Sequence, residues 1–173
     1  MKIVVAQISE DEGLSLHHLY PEGEPGSGVD GHLIGQSELS LRATRAREKV
    51  EIIGSINAVV GFECDRCLAP LSVPIEQSFE LLYVPPLGTG DEQELGGQDL
   101  SIGFYQDGII DVDDLVREQI ELALPMARLC REGCRGLCPE CGANLNDGDC
   151  ACETGRVDER WAALDNFKSK LSH

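Results

Sequence analysis

Three runs of alternating apolar and polar residues, one short and two long, occupy the middle of the chain. Apolar side chains fall on odd positions over 39–43, mostly on even positions over 50–62, and again on odd positions over 71–83. A period of two is typical of strands that turn one face to a core and the other to solvent. Because only the short segment 64–70 separates the last two runs, they are predicted to pair as a β-hairpin within an antiparallel sheet over 38–83.

Shorter signals flank this sheet. Residues 3–8 carry a short β-like start, and a brief strand is predicted at 100–104. The segments 21–36 and 85–99 are rich in Gly, Pro and acidic residues, so both are predicted to be mobile loops.

One helix is predicted over 111–124. Asp111 is a good N-cap, and the acids that follow it suit the positive end of the helix dipole. Pro125 ends the helix because it cannot continue the hydrogen-bond pattern. The apolar face of this helix consists of Val112, Leu115, Val116, Ile120 and Ala123. A terminal helix from about Asp158 is predicted by the apolar stripe of Trp161, Leu164, Phe167 and Leu171.

These elements predict an α+β fold: an antiparallel β-sheet with one or two packed helices and a C-terminal cysteine-rich zinc-knuckle segment. Residues 1–126 are expected to form a β-rich domain that holds the hairpin, the helix and both loops. Residues 127–173 are expected to form the zinc-binding segment and the terminal helix, packed on the first part.

The chain is strongly acidic. Its 31 Asp and Glu against 14 Lys and Arg give a formal net charge of −17. Such a charge repels a phosphate backbone, whereas nucleic-acid-binding domains usually present a basic face. It suits either a well-hydrated surface or a face that meets a basic partner.

The N-terminal apolar stretch is shorter than the core of a signal peptide, and no window is long enough to span a membrane. We therefore expect a cytoplasmic protein without membrane association. In a reducing compartment cysteines bind metal more often than they form disulfides.

Eight cysteines are the main chemical feature of the sequence, and they divide into two sets of four. Zinc prefers four soft ligands at the corners of a tetrahedron, and thiolates on tight turns supply them. The ligands predicted for two zinc ions are Cys64, Cys67, Cys130, Cys134, Cys138, Cys141, Cys150 and Cys152.

One set of four is local. Cys138 and Cys141 flank a turn in which Gly142 permits the backbone conformation that a knuckle needs. Cys150 and Cys152 follow closely and are the natural second half of this site.

The other set joins distant segments. Cys64 and Cys67 at the hairpin tip need two more ligands, and Cys130 and Cys134 are left over. Such a site would close a loop of roughly sixty residues and so constrain the unfolded chain. A competing partition groups Cys130 and Cys134 with the knuckle pair, and the hairpin pair with the last two cysteines.

Thiols in such pairs also serve redox chemistry, iron–sulfur clusters and catalytic zinc sites. A thioredoxin-like site needs its Cys-x2-Cys at a helix N-terminus, whereas Cys64 and Cys67 lie between two predicted strands. An iron–sulfur cluster is a further alternative, since thiolates also ligate iron. A catalytic zinc site keeps an open position, usually with a His or carboxylate ligand. The histidines are His17, His18, His32 and His173. None lies beside a cysteine pair, so neither a catalytic site nor a small-molecule substrate is predicted.

Three segments form a combination specific enough to suggest a family: FECDRCLAPL at 62–71, IIDVDDLVREQIELALPM at 109–126 and CREGCRGLCPECGANLN at 130–146. Together they resemble the YceD family, the large ribosomal RNA subunit accumulation proteins, over roughly 37–167. The resemblance implies a cytoplasmic bacterial-type protein that promotes accumulation of large-subunit ribosomal RNA and is associated with assembly of the large subunit. It implies no catalytic activity.

Two non-enzymatic functions remain open at this point. The first is a factor supporting large-subunit rRNA accumulation and ribosome assembly, stabilised by structural zinc, whose partners are assembly components or the rRNA itself, reached directly or indirectly. The second is an acidic, zinc-stabilised module that holds a basic ribosomal protein without touching RNA. An enzyme, either a thiol oxidoreductase or a nuclease, would instead need accessible low-pKa thiols or an open metal site.

Overall fold

The computed structural model describes residues 1–24, 31–86 and 102–152. The chain divides into two compact units. The sheet unit comprises Met1–Phe62 and Pro70–Arg128, and the cysteine unit comprises Glu63–Ala69 and Leu129–His173. The domain limits predicted from the sequence stay a prediction.

The described residues form eight strands, one short 3-10 helix at Val5–Gln7 and one α-helix. The strands are β1 Lys2–Val4, β2 Leu14–Tyr20, β3 His32–Leu33, β4 Ser37–Ala46, β5 Lys49–Glu63, β6 Pro70–Val84, β7 Ile102–Phe104 and β8 Ile109–Asp111. The helix is α1, Val112–Ala123. One or two packed helices were predicted, and α1 is the one that falls within the described residues. The helix predicted from about Asp158 lies outside them.

The main sheet has the strand order β2-β4-β5-β6-β7, with β3 paired to β5. β5 and β6 are neighbours joined by the short connection 64–69, as the predicted hairpin requires. A second, two-stranded sheet pairs β1 with β8 antiparallel.

The prediction of an antiparallel sheet is wrong at one edge. β7 runs parallel to β6, with Leu82 opposite Ile102 and Val84 opposite Phe104. Parallel neighbours need a crossover connection of a dozen or more residues, and the chain between Val84 and Ile102 is long enough to provide one. The sheet is therefore mixed.

The alternating pattern correctly predicted the core. Leu39 and Ala43 of β4, together with Val50 and Ile52 of β5, are fully buried. On β6, Ile75 and Phe79 are also buried, while the other predicted inward residues are partly buried and pack against the core: Leu71, Val73, Leu81 and Tyr83. One face of this sheet thus turns away from solvent.

Three strands, β2, β3 and β8, were not predicted from the sequence. In β2, His18 takes an inward position and interrupts the apolar alternation, with its ring edge-on to Tyr20 at 4.5 Å. β3 lies inside the segment predicted as the loop 21–36, and its Leu33 is buried opposite Val60. The prediction of a loop is therefore wrong at this strand. Positions 25–30 of that segment, and 87–99 of the other predicted loop, lie outside the described residues.

The helix begins and ends as predicted. The Asp111 side chain accepts hydrogen bonds from the backbone N–H of Asp113 at 3.0 Å and of Asp114 at 3.3 Å, which makes it the N-cap. The helix ends at Ala123, two residues before Pro125. Its predicted apolar face is buried except for Ala123, which is partly buried. None of the described helices is long and apolar enough to cross a membrane.

Candidate metal centres

The first group of thiols, which we call tetrad A, consists of Cys64, Cys67, Cys130 and Cys134. Its four sulfur atoms all lie within 4.8 Å of one another. The Sγ atoms of Cys64 and Cys134 are 3.8 Å apart, and those of Cys67 and Cys130 are 3.6 Å apart. Four sulfurs placed tetrahedrally about 2.3 Å from a zinc ion would be about 3.8 Å apart, so the spacing suits that ion.

The second group, tetrad B, consists of Cys138, Cys141, Cys150 and Cys152, with all four sulfur atoms again within 4.8 Å of one another. All eight cysteines are free thiols. The structure thus groups the thiols as the local set and the long-range set, rather than in the competing partition.

The hairpin tip forms a tight turn around Cys64. The Cys64 N–H donates to the carbonyl of Ala69 at 2.8 Å, and the Leu68 N–H donates to the carbonyl of Cys64 at 2.9 Å. Leu68 has φ +59°, in the left-handed region. These bonds direct the side chains of Cys64 and Cys67 towards the same point.

The same turn recurs at Cys138. The Cys138 N–H donates to the carbonyl of Ala143 at 2.8 Å, and the Gly142 N–H donates to the carbonyl of Cys138 at 2.9 Å. Gly142 has φ +71°, which confirms the backbone conformation predicted for it. Two segments far apart in the sequence therefore use one hydrogen-bond pattern to present a Cys-x2-Cys pair.

Polar groups around tetrad A favour the charged form of its sulfurs. The backbone N–H of Cys130 and the side-chain amide of Asn146 each donate to a sulfur at 3.4 Å, the first to Cys64 and the second to Cys134. Asn144 accepts from the Asn146 amide at 2.8 Å and fixes its direction. Such outer groups orient and stabilise thiolate ligands. Asn146 was not predicted from the sequence, because its contact with Cys134 depends on the fold.

The thiols of tetrad A differ in acidity. The backbone N–H of Cys130 is the main cause that lowers the pKa of Cys64 to about 6, and the Asn146 amide lowers the pKa of Cys134. The pKa of Cys130 is raised to about 12, first by its hydrogen bond with Cys67. Four thiols this close cannot all ionise unless a cation offsets their mutual repulsion.

Tetrad B shows the same division. The backbone N–H of Cys141 is the main cause that lowers the pKa of Cys138 to about 7. The hydrogen bond with Cys141 raises the pKa of Cys152 to about 12. The two tetrads differ in burial. Three thiols of tetrad A are buried, whereas only Cys138 is buried in tetrad B.

Three arginines that flank the cysteine pairs in the sequence contact a carbonyl group, a carboxylate and an aromatic ring. Arg66 donates to the carbonyl of Cys134 at 2.8 Å, Arg135 pairs with the carboxylate of Asp149, and Arg128 lies 4.8 Å from the centre of the Phe62 ring. Arg66 therefore holds the backbone of a ligand segment in place.

The donor sets fit a metal ion. Each tetrad offers four soft sulfur atoms at tetrahedral spacing, and these two groups could hold metal ions. His17, His18 and His32 belong to the sheet unit and to neither tetrad, and His17 is hydrogen-bonded to Glu38 at 2.8 Å. His173 lies outside the described residues.

Comparison with known proteins gives a consistent result. The family model described as large ribosomal RNA subunit accumulation protein YceD matches residues 52–168. An uncharacterized protein of Mycobacterium tuberculosis (strain H37Rv) is 32% identical over 131 residues, which cover 73% of this chain and 59% of the relative. No solved structure gives a significant match.

Two plant relatives carry a descriptive name, large ribosomal RNA subunit accumulation protein YCED homolog 1, chloroplastic. The Zea mays protein is 30% identical over 144 residues, covering 69% of this chain and 49% of the relative. The Arabidopsis thaliana protein is 25% identical over 175 residues, covering 88% of this chain and 51% of the relative. The chain thus spans between half and three fifths of the length of these relatives. With the family model matching more than half of its residues, the chain belongs to the YceD family.

Proposed function

We propose that this chain is a non-enzymatic factor that supports accumulation of large-subunit ribosomal RNA and assembly of the large ribosomal subunit in the cytoplasm, and that two structural zinc ions stabilise it. The process comes from family membership and from the names of the plant relatives. The ligands of one ion are the thiolates of tetrad A, and those of the other are the thiolates of tetrad B.

The convergence of four sulfurs in each tetrad is the observation that carries the proposal of structural zinc. A zinc ion with four thiolate ligands has no open position, so it supplies a cross-link rather than an activated water. The amide donors to Cys64 and Cys134 hold these sulfurs in their charged form, which is the form that binds metal.

Elemental analysis of the purified full chain tests the zinc sites directly. We expect two zinc ions per chain, and one in the Cys141→Ser variant because three thiolates hold zinc more weakly. Glu140→Ser, which changes the neighbouring exposed residue and keeps all four thiols, is the matched control and should retain both ions. A folded chain free of metal, or two ions in Cys141→Ser, would contradict the assignment.

Depletion in the source organism tests the biological role. Sucrose-gradient profiles should show fewer large subunits and less mature large-subunit rRNA, and the wild-type chain should restore both. Normal profiles after depletion would refute the proposed role, whatever the metal content.

A second function is favoured by charge. The net charge of −17 opposes direct binding to a phosphate backbone and favours a basic protein. On this proposal the chain holds a basic ribosomal protein and reaches the RNA only through it. Salt-sensitive capture of a basic protein that survives nuclease treatment supports this function, whereas capture abolished by nuclease supports direct contact with RNA.

A further inference from the structure

Helix α1 and the short segment that follows it each carry one large apolar side chain that is exposed. Leu122 is 76% exposed, and Met126, just beyond the helix end, is fully exposed. They are the most exposed large hydrophobic residues among those described. Exposed apolar surface in a rim of polar residues is typical of binding sites.

Acidic residues continue this side of the helix. Asp114, Glu118 and Glu121 are exposed and follow the helical spacing of three to four residues that leads to Leu122. We call these three acids, together with Leu122 and with Met126 beyond the helix end, the outer face of α1.

The negative charge of the outer face is only partly balanced. Arg117 pairs with Asp114, but neither Glu118 nor Glu121 has a basic partner among the described residues. The last turn of α1 contains no basic residue, so the negative end of the helix dipole adds to the charge of Glu121.

The negative charges of these acids affect Tyr83 on the neighbouring strand β6. The pKa of Tyr83 on β6 is raised to about 12, mainly by burial and in smaller part by the charges of Glu118 and Asp114. A cation that docks on this face would therefore gain attraction from several carboxylates at once.

The chemistry of the face narrows the choice of occupant. A nucleic acid would bring phosphates to the carboxylates, and a second copy of this chain would bring a net charge of −17 to the same surface. Both contacts would be repulsive. Lys and Arg side chains satisfy the carboxylates, and their aliphatic stems or an adjacent apolar residue can cover Leu122 and Met126.

We propose that the outer face of α1 is the docking surface for a Lys- and Arg-rich segment of a basic protein, in which an apolar side chain of the partner packs on Leu122 and Met126. This proposal rests on the second function given above and names the surface that performs it.

The test uses the full zinc-loaded chain as bait and, as probe, the nuclease-treated protein mixture extracted from purified large ribosomal subunits. Retained proteins are quantified by mass spectrometry at 50 mM and 500 mM salt. Three variants are compared with the wild type: Glu118→Lys with Glu121→Lys, Leu122→Ser with Met126→Ser, and the control Glu76→Lys with Glu80→Lys. The control changes two exposed acids of β6 and alters the net charge equally.

We expect the wild type and the control to retain a particular basic protein. The amount retained by the α1 charge-reversal variant at 50 mM salt should be at least tenfold lower. The serine variant should retain less of this protein at both salt concentrations, because it removes apolar contacts, which salt does not screen. Unchanged circular dichroism and zinc content would show that each variant is folded.

Two outcomes would overturn the proposal. One is an equal loss of capture in the control, which would mean a general charge effect, and the other is capture that is absent or unchanged in the α1 variants. The outcome of the rRNA depletion experiment does not depend on the outcome of this capture experiment. If capture depends on the outer face but depletion leaves rRNA normal, the docking surface stands and the proposed biological role falls.

Discussion

Removing the tetrad A cross-link should destabilise the chain more than removing that of tetrad B, because the loops they close differ in length. The perturbation is Cys130→Ser with Cys134→Ser for tetrad A, compared with Cys150→Ser with Cys152→Ser for tetrad B. Each variant removes two thiols and one expected zinc ion, so the number of lost ligands is matched.

The magnitude follows from the sequence separation of the joined thiols. Cys67 and Cys130 are 63 positions apart, so a cross-link between them lowers the unfolded-state entropy by an amount worth about 4.3 kcal/mol at 25 °C. Cys141 and Cys150 close a much shorter loop of about nine positions, worth about 2.6 kcal/mol. The expected difference in free energy of unfolding is therefore about 1.7 kcal/mol.

Urea unfolding followed by circular dichroism, with and without a chelator, measures this difference. With an m-value of about 2 kcal/mol/M, the tetrad A variant should unfold about 0.9 M urea earlier than the tetrad B variant when zinc is present. After chelation the two variants should have nearly the same midpoint, because the cross-links are then absent from both. Equal midpoints with zinc, or a difference that persists after chelation, would refute the loop-closure reasoning.

Three further predictions concern single residues. Gly136→Ala should cost about 1–2 kcal/mol in chemical denaturation, because Gly136 has φ +77° and a Cβ there would lie 2.9 Å from the carbonyl oxygen of Arg66; an unchanged midpoint would contradict it. Asp111→Ala should cost about 1 kcal/mol by loss of the N-cap, whereas Asp111→Asn should retain most of the stability; equal losses in the two variants would argue against capping. Burial alone would raise the pKa of Asp113, but hydrogen bonds from the Met1 ammonium and the Tyr20 hydroxyl lower it overall. Its carboxylate therefore stabilises the fold at pH values above its unfolded pKa of about 4. This contribution is lost as the pH falls through the lower pKa of the folded state. Asp113→Asn should therefore be less stable at pH 7 and show a weaker decline of stability in acid, measured by thermal unfolding from pH 7 to pH 2; an acid decline as steep as that of the wild type would refute this.

Local patterns predicted the elements in which one physical signal dominates. The parity of apolar residues found β4, β5 and β6 because a strand with one buried face must alternate. Asp111 and Pro125 marked the limits of α1 because each acts on the backbone of its own segment.

Weaker local signals were missed or misread. β2 was missed because His18 sits where an apolar residue was expected, and two-residue β3 is too short to show a period. The turn before β8 did have a signal, since Asp107 and Gly108 both have positive φ and Asp-Gly is typical of tight hairpin turns. The parallel pairing of β7 had none, because strand direction depends on the path of the whole connection.

The sequence by itself determined the chemistry of the candidate metal centres: eight thiols in four pairs, two of them in Cys-x2-Cys turns whose hydrogen bonds are local. Only the tertiary structure decided which pairs meet. Spacing cannot distinguish the two partitions of the thiols, because bringing Cys64 within 3.8 Å of Cys134 depends on where the fold returns the chain after α1. The same applies to Asn146, whose role as a donor to Cys134 follows from a position in space that no local pattern encodes.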